Sequence, residues 1–420
     1  MKRSYYIIGL IFVTFFVISL LTNILGPIIP DIIKSFNLSL TLAALFPFSF
    51  FIAYGVMSIP SGMLVDRYKE KPVMAAAFLV ALLGAFLFAV VPSYTVAIIS
   101  LFLIGVGMAM LQVAINPLLR TAGGEEHFAF NSVFAQLIFG LASFLSPYIY
   151  SYLVRNIHQP AGDRGIIITA LEKVVPASLP WVSLYWVFAF VAAVMVVLML
   201  VSRFPEVHRK EDEIAGAWET HKNLFREKTV ILYFIGIFAY VGTEQGVANW
   251  ISQFLYTYHG LDPQTVGAST VAWFWGMLTA GCLLGMLFLK FFDSRKVLLG
   301  FVLSAIFWLT VAFFGTTSMA LIAFPMVGFS ASVMWSIVFS LALNSLDRNH
   351  GSFSGILCTA IIGGAIVPLI IGWLGDRFGL RFGMFFLYLT LGYLFSIGIW
   401  AKPIITNETI SMKKKKAEAI

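Results

Sequence analysis

Charge is what this sequence lacks. Asp, Glu, Lys and Arg make up only 11% of its 420 residues, against 60% hydrophobic. A soluble chain carries about 25% charged residues, so this composition excludes an ordinary soluble protein and leaves a bilayer as the solvent. Cysteine is scarce as well. Cys282 and Cys358 both fall inside apolar runs without ligand-type neighbours, so neither a disulfide framework nor a metal site is expected. The six histidines, His127, His158, His208, His221, His259 and His350, lie in or near the breaks between apolar runs, and none pairs with a nucleophile. No phosphate-cradling loop occurs. The chain is therefore not expected to be an enzyme, to use ATP or to hold a cofactor.

What it has is long apolar segments. A membrane-spanning helix takes about 20 such residues, and twelve segments qualify. They cover 5–29, 39–64, 72–92, 94–119, 128–154, 181–202, 229–257, 267–291, 297–315, 317–343, 353–374 and 381–401, and are numbered here as helices one to twelve. The first follows Lys2 and Arg3 as a signal peptide would. It is too long for one, contains Asn23 and Pro27, and lacks a small-residue cleavage site.

Lys and Arg set the orientation. With both termini in the cytoplasm, 21 of the 27 fall on the inner side. The other six, Lys34, Arg155, Arg164, Lys173, Arg377 and Arg381, fall outside, and none is left at the bilayer centre. The net charge of +7 thus reflects topology, and no nucleic-acid partner is indicated. The KKKK run at 413–416 either lies near anionic headgroups or is a solvated charge run.

The longest charged stretch, RFPEVHRKEDEIAGAWETHKNLFREK at 203–228, separates six helices from six. It reads as a cytoplasmic linker with a short surface helix around Trp218. The expected division is an N-terminal bundle over 1–202, the linker over 203–228, a C-terminal bundle over 229–402 and a basic tail over 403–420. Residues 155–180 read as an outer surface loop. Six helices, a linker and six helices resemble the parallel-repeat plan of major facilitator transporters, which hold substrate between the halves. The loop GMLVDRYKEKP (62–72) between helices two and three resembles the signature loop of that superfamily. Gly62, Asp66 and Arg67 would form a cytoplasmic latch, with Asp66 pairing to Arg67 or to a neighbouring helix end. Lys69 stands where that pattern prefers Gly. GMLFLKFFDSRK (285–296) is a degraded second copy.

Polar residues at bilayer depth are costly and usually face a cavity or the bundle interior. Helix one carries Asn23. Helix four carries Gln112 and Asn116, one turn apart and followed by Pro117. Helix five carries Asn131 and Gln136. Helix seven carries Glu244, Gln245, Asn249, Trp250 and Gln253, and helix ten carries Trp335, Ser336 and Ser340. Any one amide has the alternative role of bonding a neighbouring helix, and any one Trp that of packing or anchoring. As a set, Asn23, Gln112, Asn116, Gln136, Gln245, Asn249, Trp250 and Trp335 suit a neutral polyhydroxylated ligand. Amides both donate and accept hydrogen bonds, and aromatic faces cover the C–H side of a sugar ring. Glu244, the one carboxylate well within a predicted helix, is the candidate coupling residue. Its alternative role is to orient Gln245 or bond a substrate hydroxyl.

At these residues the chain resembles the fucose–galactose–glucose:proton symporter family, the L-fucose permease-like sugar transporters. The resemblance runs through LTNILGP, AINPLLRTAGGEEHFAFN (114–131), YVGTEQGVANW (240–250) and IIGGAIVPLIIGWLGD (361–376) and covers nearly the whole chain. It implies the major facilitator fold and inward transport of a hexose or 6-deoxyhexose across a bacterial inner membrane; separately, the chain is expected to act as a monomer. The family pattern carries acids in helices one and four that are tied to proton coupling. This chain has amides there, Asn23 and Gln112. Coupling through Glu244, binding of a sodium ion among carbonyl-type oxygens, and uniport all remain open, with cation-coupled symport the favoured reading. The rival reading is a major facilitator exporter of drugs or hydrophobic metabolites, which would call for acids in helix one or four.

Overall fold

The computed structural model describes residues 5–123, 128–159, 165–204 and 218–404, and over these the chain is helical. Twelve helices are long and apolar enough to cross a membrane. They are Tyr5–Phe36, Leu40–Tyr68, Glu70–Val90, Tyr94–Ile115, Asn131–Asn156, Pro180–Val201, Lys228–Ala248, Pro263–Phe291, Ser294–Phe314, Thr317–Leu343, His350–Phe378 and Leu380–Trp400. Each matches one apolar segment of the sequence. The physical cause is the missing water: every backbone N–H and C=O must bond within its own helix.

Helix ends appear where the sequence supplies other partners. Ser39 Oγ accepts the Leu42 N–H at 3.3 Å at the start of helix two, and Thr316 Oγ1 accepts the Met319 N–H at 3.4 Å at the start of helix ten. Gly260, at φ 64°, closes the piece that ends at His259.

Three boundaries differ from the sequence reading. Helix one does not stop at residue 29. It bends at Asn23 and Ile24 and continues as Leu25–Phe36. Pro27 falls in the first turn of that second piece, where its missing N–H breaks nothing. Helix seven breaks at Asn249 and Trp250 and resumes as Ile251–His259. Within 155–180, read as loop, a short helix Ile166–Glu172 buries Ile168 and Leu171. A second short helix, Trp218–Leu224, precedes helix seven; its His221 and Leu224 are buried, and it packs on the start of helix eleven. The basic tail at 413–416 lies outside the described residues.

The twelve helices form two six-helix bundles. Helices one with seven, two with eleven, and five with eight join them. At the end away from the termini the halves are also bonded, Gln264 to Asp31 and the Leu40 and Thr41 N–H groups to Asp376. A Cβ on Gly26 of helix one would collide with the Ala248 carbonyl of helix seven, and near mid-helix one on Gly140 of helix five with Thr279 of helix eight. Small residues at such crossings let backbones approach. Among the described residues, helices four and ten pack chiefly within their own halves. The halves thus meet as a wedge held closed at the end far from the termini by these bonds, with helix two also in contact with the His350–Thr359 part of helix eleven.

Candidate substrate and coupling site

The bend in helix one places Asn23 against helix five. It is 4% exposed, and its Nδ2 donates to Ser143 Oγ at 2.8 Å. Ser143 Oγ lies 2.6 Å from Ser19 Oγ, and Ser19 Oγ donates to the Phe139 carbonyl at 2.5 Å. These groups tie helix one to helix five inside the N-terminal half. In this state Asn23 is spent on that tie, and among the described residues no hydrogen bond joins it to the polar residues of helices seven and ten.

Helix seven divides its polar residues. Gln245 and Asn249 are buried, with Asn249 Nδ2 donating to Gln245 Oε1 at 3.4 Å. Asn249 sits at the crossing with helix one, beside Gly26. Trp250 is fully buried, and its Nε1 donates to the Pro368 carbonyl at 3.3 Å. Its ring thus packs against helix eleven and does not form a platform for a ligand here. Gln253 is also buried and donates to Thr257 Oγ1 at 3.1 Å.

At Glu244, the residue before Gln245, the picture changes. Glu244 is half-buried and accepts a hydrogen bond from the Tyr240 hydroxyl at 3.0 Å. The Tyr240 ring lies 6.0 Å from that of Trp335 on helix ten, and Trp335 stacks on Phe339 at 5.7 Å with 20° between planes. Trp335 is half-buried, and Ser336 beside it is exposed. The carboxyl, phenol and indole of Glu244, Tyr240 and Trp335 therefore form one partly open cluster. Helices seven and ten position it. Cys282, half-buried on helix eight, donates to the Ser332 carbonyl at 3.3 Å. Trp275, one face along the same helix, is buried with no partner for its Nε1 among the described residues.

Gln112 on helix four is half-buried and Gln136 on helix five is exposed. The side chain of Asn116 lies outside the described residues. In the latch loop, Gly62 is buried, Asp66 half-buried and Arg67 exposed, its guanidinium 5.2 Å from the Tyr68 ring centroid. Lys69 has φ 70°, a left-handed value that favours Gly. That is the physical reason for a Gly preference at this turn. In the second copy, Asp293 accepts the Arg295 backbone N–H at 2.9 Å and its Nε at 3.0 Å. The Arg295 side chain holds the Asp293 carboxyl below the usual carboxylate range.

Sequence reasoning missed three residues. Tyr240 is the hydrogen-bond donor to Glu244, and its i, i+4 spacing was the available signal. Asp31 lay beyond the expected end of helix one. It accepts from Tyr150 of helix five at 2.5 Å and from Gln264 Nε2 of the other half at 3.1 Å. Ile28, Ile29 and Ile32, all buried, carry the apolar stripe past it and could have extended the helix. Asp376 is the third, in GWLGDRFG at 372–379; it repeats the Gly-x-x-x-Asp-Arg pattern of the latch loop.

Comparison with known proteins adds the following. A profile of the Major Facilitator Superfamily matches residues 11–361. A glucose/galactose transporter of Brucella abortus is 31% identical over 392 residues, covering 92% of this chain and 91% of its own. The crystal structure of the Escherichia coli fucose:proton symporter FucP superposes with a TM-score of 0.68 at 21% identity, covering 96% of this chain and 100% of that one. A bacterial homologue of the lysosomal transporter Spinster, in an inward-facing conformation, superposes with a TM-score of 0.72 at 15% identity, covering 94% and 96%.

Proposed function

This chain belongs to the major facilitator superfamily, and on that premise we propose that it imports a neutral monosaccharide, a hexose or 6-deoxyhexose, by alternating access coupled to a cation gradient. The observation that carries the reading is the Glu244–Tyr240–Trp335 cluster. A stacked indole gives the apolar face that covers a sugar ring, and a carboxyl held by a phenol supplies an acceptor for sugar hydroxyls that can itself take a proton. In this reading Gln112 on helix four adds an uncharged donor and acceptor from the other half. Relatives named for glucose and galactose transport, and for fucose:proton symport, support the same substrate class.

With the basic loops in the cytoplasm, the closed end of the wedge faces outside and the state is inward-open. Opening requires the halves to rock about the substrate, and a bound sugar drives this only as far as it favours one state over the other. Coupling passes through Glu244 in this reading. The amides in helices one and four cannot carry a proton, so the site has one titratable group where the family pattern has others.

The test is uptake of radiolabelled fucose, galactose, glucose, fructose, mannose and N-acetylglucosamine into proteoliposomes under a proton gradient, a sodium gradient or neither. Accumulation of one hexose above equilibrium under one gradient is expected and names the ion. Uptake that only equilibrates would make the protein a uniporter. No uptake of any sugar would overturn the substrate class.

A further inference from the structure

Asp376 ends helix eleven and reaches into the first turn of helix two, which belongs to the other half. It accepts the Leu40 N–H at 2.8 Å on one carboxylate oxygen. The other oxygen accepts the Thr41 N–H at 2.9 Å and the Thr41 hydroxyl at 2.5 Å. A helix start leaves its first N–H groups without intrahelical partners. Here Ser39 Oγ serves Leu42 from within helix two, while Leu40 and Thr41 are served from across the boundary between halves. The charge sits at the positive end of the helix-two dipole, where a carboxylate is favoured.

The surrounding backbone is built for the approach. A Cβ on Gly372 would lie 2.7 Å from the Leu40 carbonyl oxygen, so only glycine lets helix eleven come this close. Gly379 takes φ 89° just after the helix and turns the chain away. Arg377 is drawn aside, its guanidinium 4.1 Å from the Trp373 ring centroid, and does not compete for Asp376. The same Gly-x-x-x-Asp-Arg pattern ends helix two at Gly62, Asp66 and Arg67. The paired helices two and eleven thus carry one copy at each end.

We infer that Asp376 is a positioning residue of the transport cycle. Its carboxylate caps helix two across the half boundary and holds the end far from the termini closed, and the cap must break for that end to open. Its place in transport rests on the alternating-access reading above, but the cap itself can be measured without sugar.

The experiment is a distance measurement between nitroxides at Thr95→Cys and Ser318→Cys, with Cys282 and Cys358 replaced by Ser, in lipid nanodiscs. Thr95 and Ser318 are exposed, one in each half at the closed end. Loss of an N-terminal cap is worth roughly a three- to tenfold change in an equilibrium. Asp376→Asn and Asp376→Ala are expected to shift the closed-to-open ratio by that factor towards longer distances. Thr41→Val, which removes only the hydroxyl, should shift it less, and Asp376→Glu should restore part of the closed fraction. Distributions identical to the parent in folded Asp376→Asn and Asp376→Ala protein would overturn the inference. Should those variants not fold, an unchanged distribution in Thr41→Val overturns it instead. Failure of sugar uptake in the parent would remove the substrate reading and leave this result intact.

Discussion

Asn23 and Glu244 are both polar residues within apolar helices, one in each half, and they end in different surroundings. Asn23 finds Ser143 and Ser19 within reach and joins helix one to helix five. Glu244 finds Tyr240 on its own helix and stays half-buried beside Trp335. The contrast shows how a bilayer sorts polar groups. A group with partners on a neighbouring helix becomes part of the packing, and its removal costs stability. A group whose partner lies on its own helix keeps a free edge for a ligand, and its removal costs function. The N-terminal tie and the C-terminal cluster are separable by that criterion.

The largest effect is expected at Glu244. Glu244→Gln keeps the shape but not the proton. Gradient-driven accumulation should fall to equilibrium while counterflow exchange continues; full accumulation in this variant, measured in proteoliposomes, would move coupling elsewhere. Trp335→Ala comes next. Loss of one stacked face is worth up to about 1.5 kcal/mol, so KM for the transported sugar should rise by about tenfold with the thermal midpoint little changed. An unaltered KM would detach helix ten from the site.

On the other side of the comparison, Ser143→Ala and Asn23→Ala should each cost about 0.6 kcal/mol of stability, the average for a hydrogen bond between membrane helices. KM should stay within about twofold, which is under 0.5 kcal/mol. A KM rise for Asn23→Ala without one for Ser143→Ala would return Asn23 to the sugar site.

The smallest effect is expected at Asp293, a carboxylate used only locally. Its value is held down by Arg295, so it contributes stability above the unfolded carboxylate value that is lost as pH falls through the folded one. Asp293→Asn should cost less than about 1 kcal/mol at pH 7 for a half-exposed pair, read as a slightly lower thermal midpoint, and the difference should vanish once pH falls below the depressed carboxyl value. A difference that persists there would mean that the side chain acts through its shape.

Much of the fold was legible in the residues. The twelve spans follow from run length alone, since a chain in lipid has few ways to satisfy its backbone. The breaks were less legible. Asn249 and Trp250 interrupt helix seven within a turn of Gly246, where Gly26 of helix one crosses it, and a glycine alone does not say which neighbour will cross there. Helix one passed its expected end because Asp31 is covered by Tyr150 and Gln264, partners that no local pattern announces. For the site, Glu244 and Trp335 were legible as polar and aromatic residues out of place in a membrane. That Trp250 turns inward onto Pro368 was not, since a helix offers no local cue for which neighbour a ring will meet.

Composition and run length by themselves determined that this is a twelve-span membrane protein in two halves, because the hydrophobic effect and backbone hydrogen bonding act on each segment separately. Which polar residues hold helices together, which remain open, and where one half caps the other were decided only by tertiary structure. Those outcomes depend on distances between helices far apart in the chain, as between Leu40 and Asp376, and no property of either segment alone contains them.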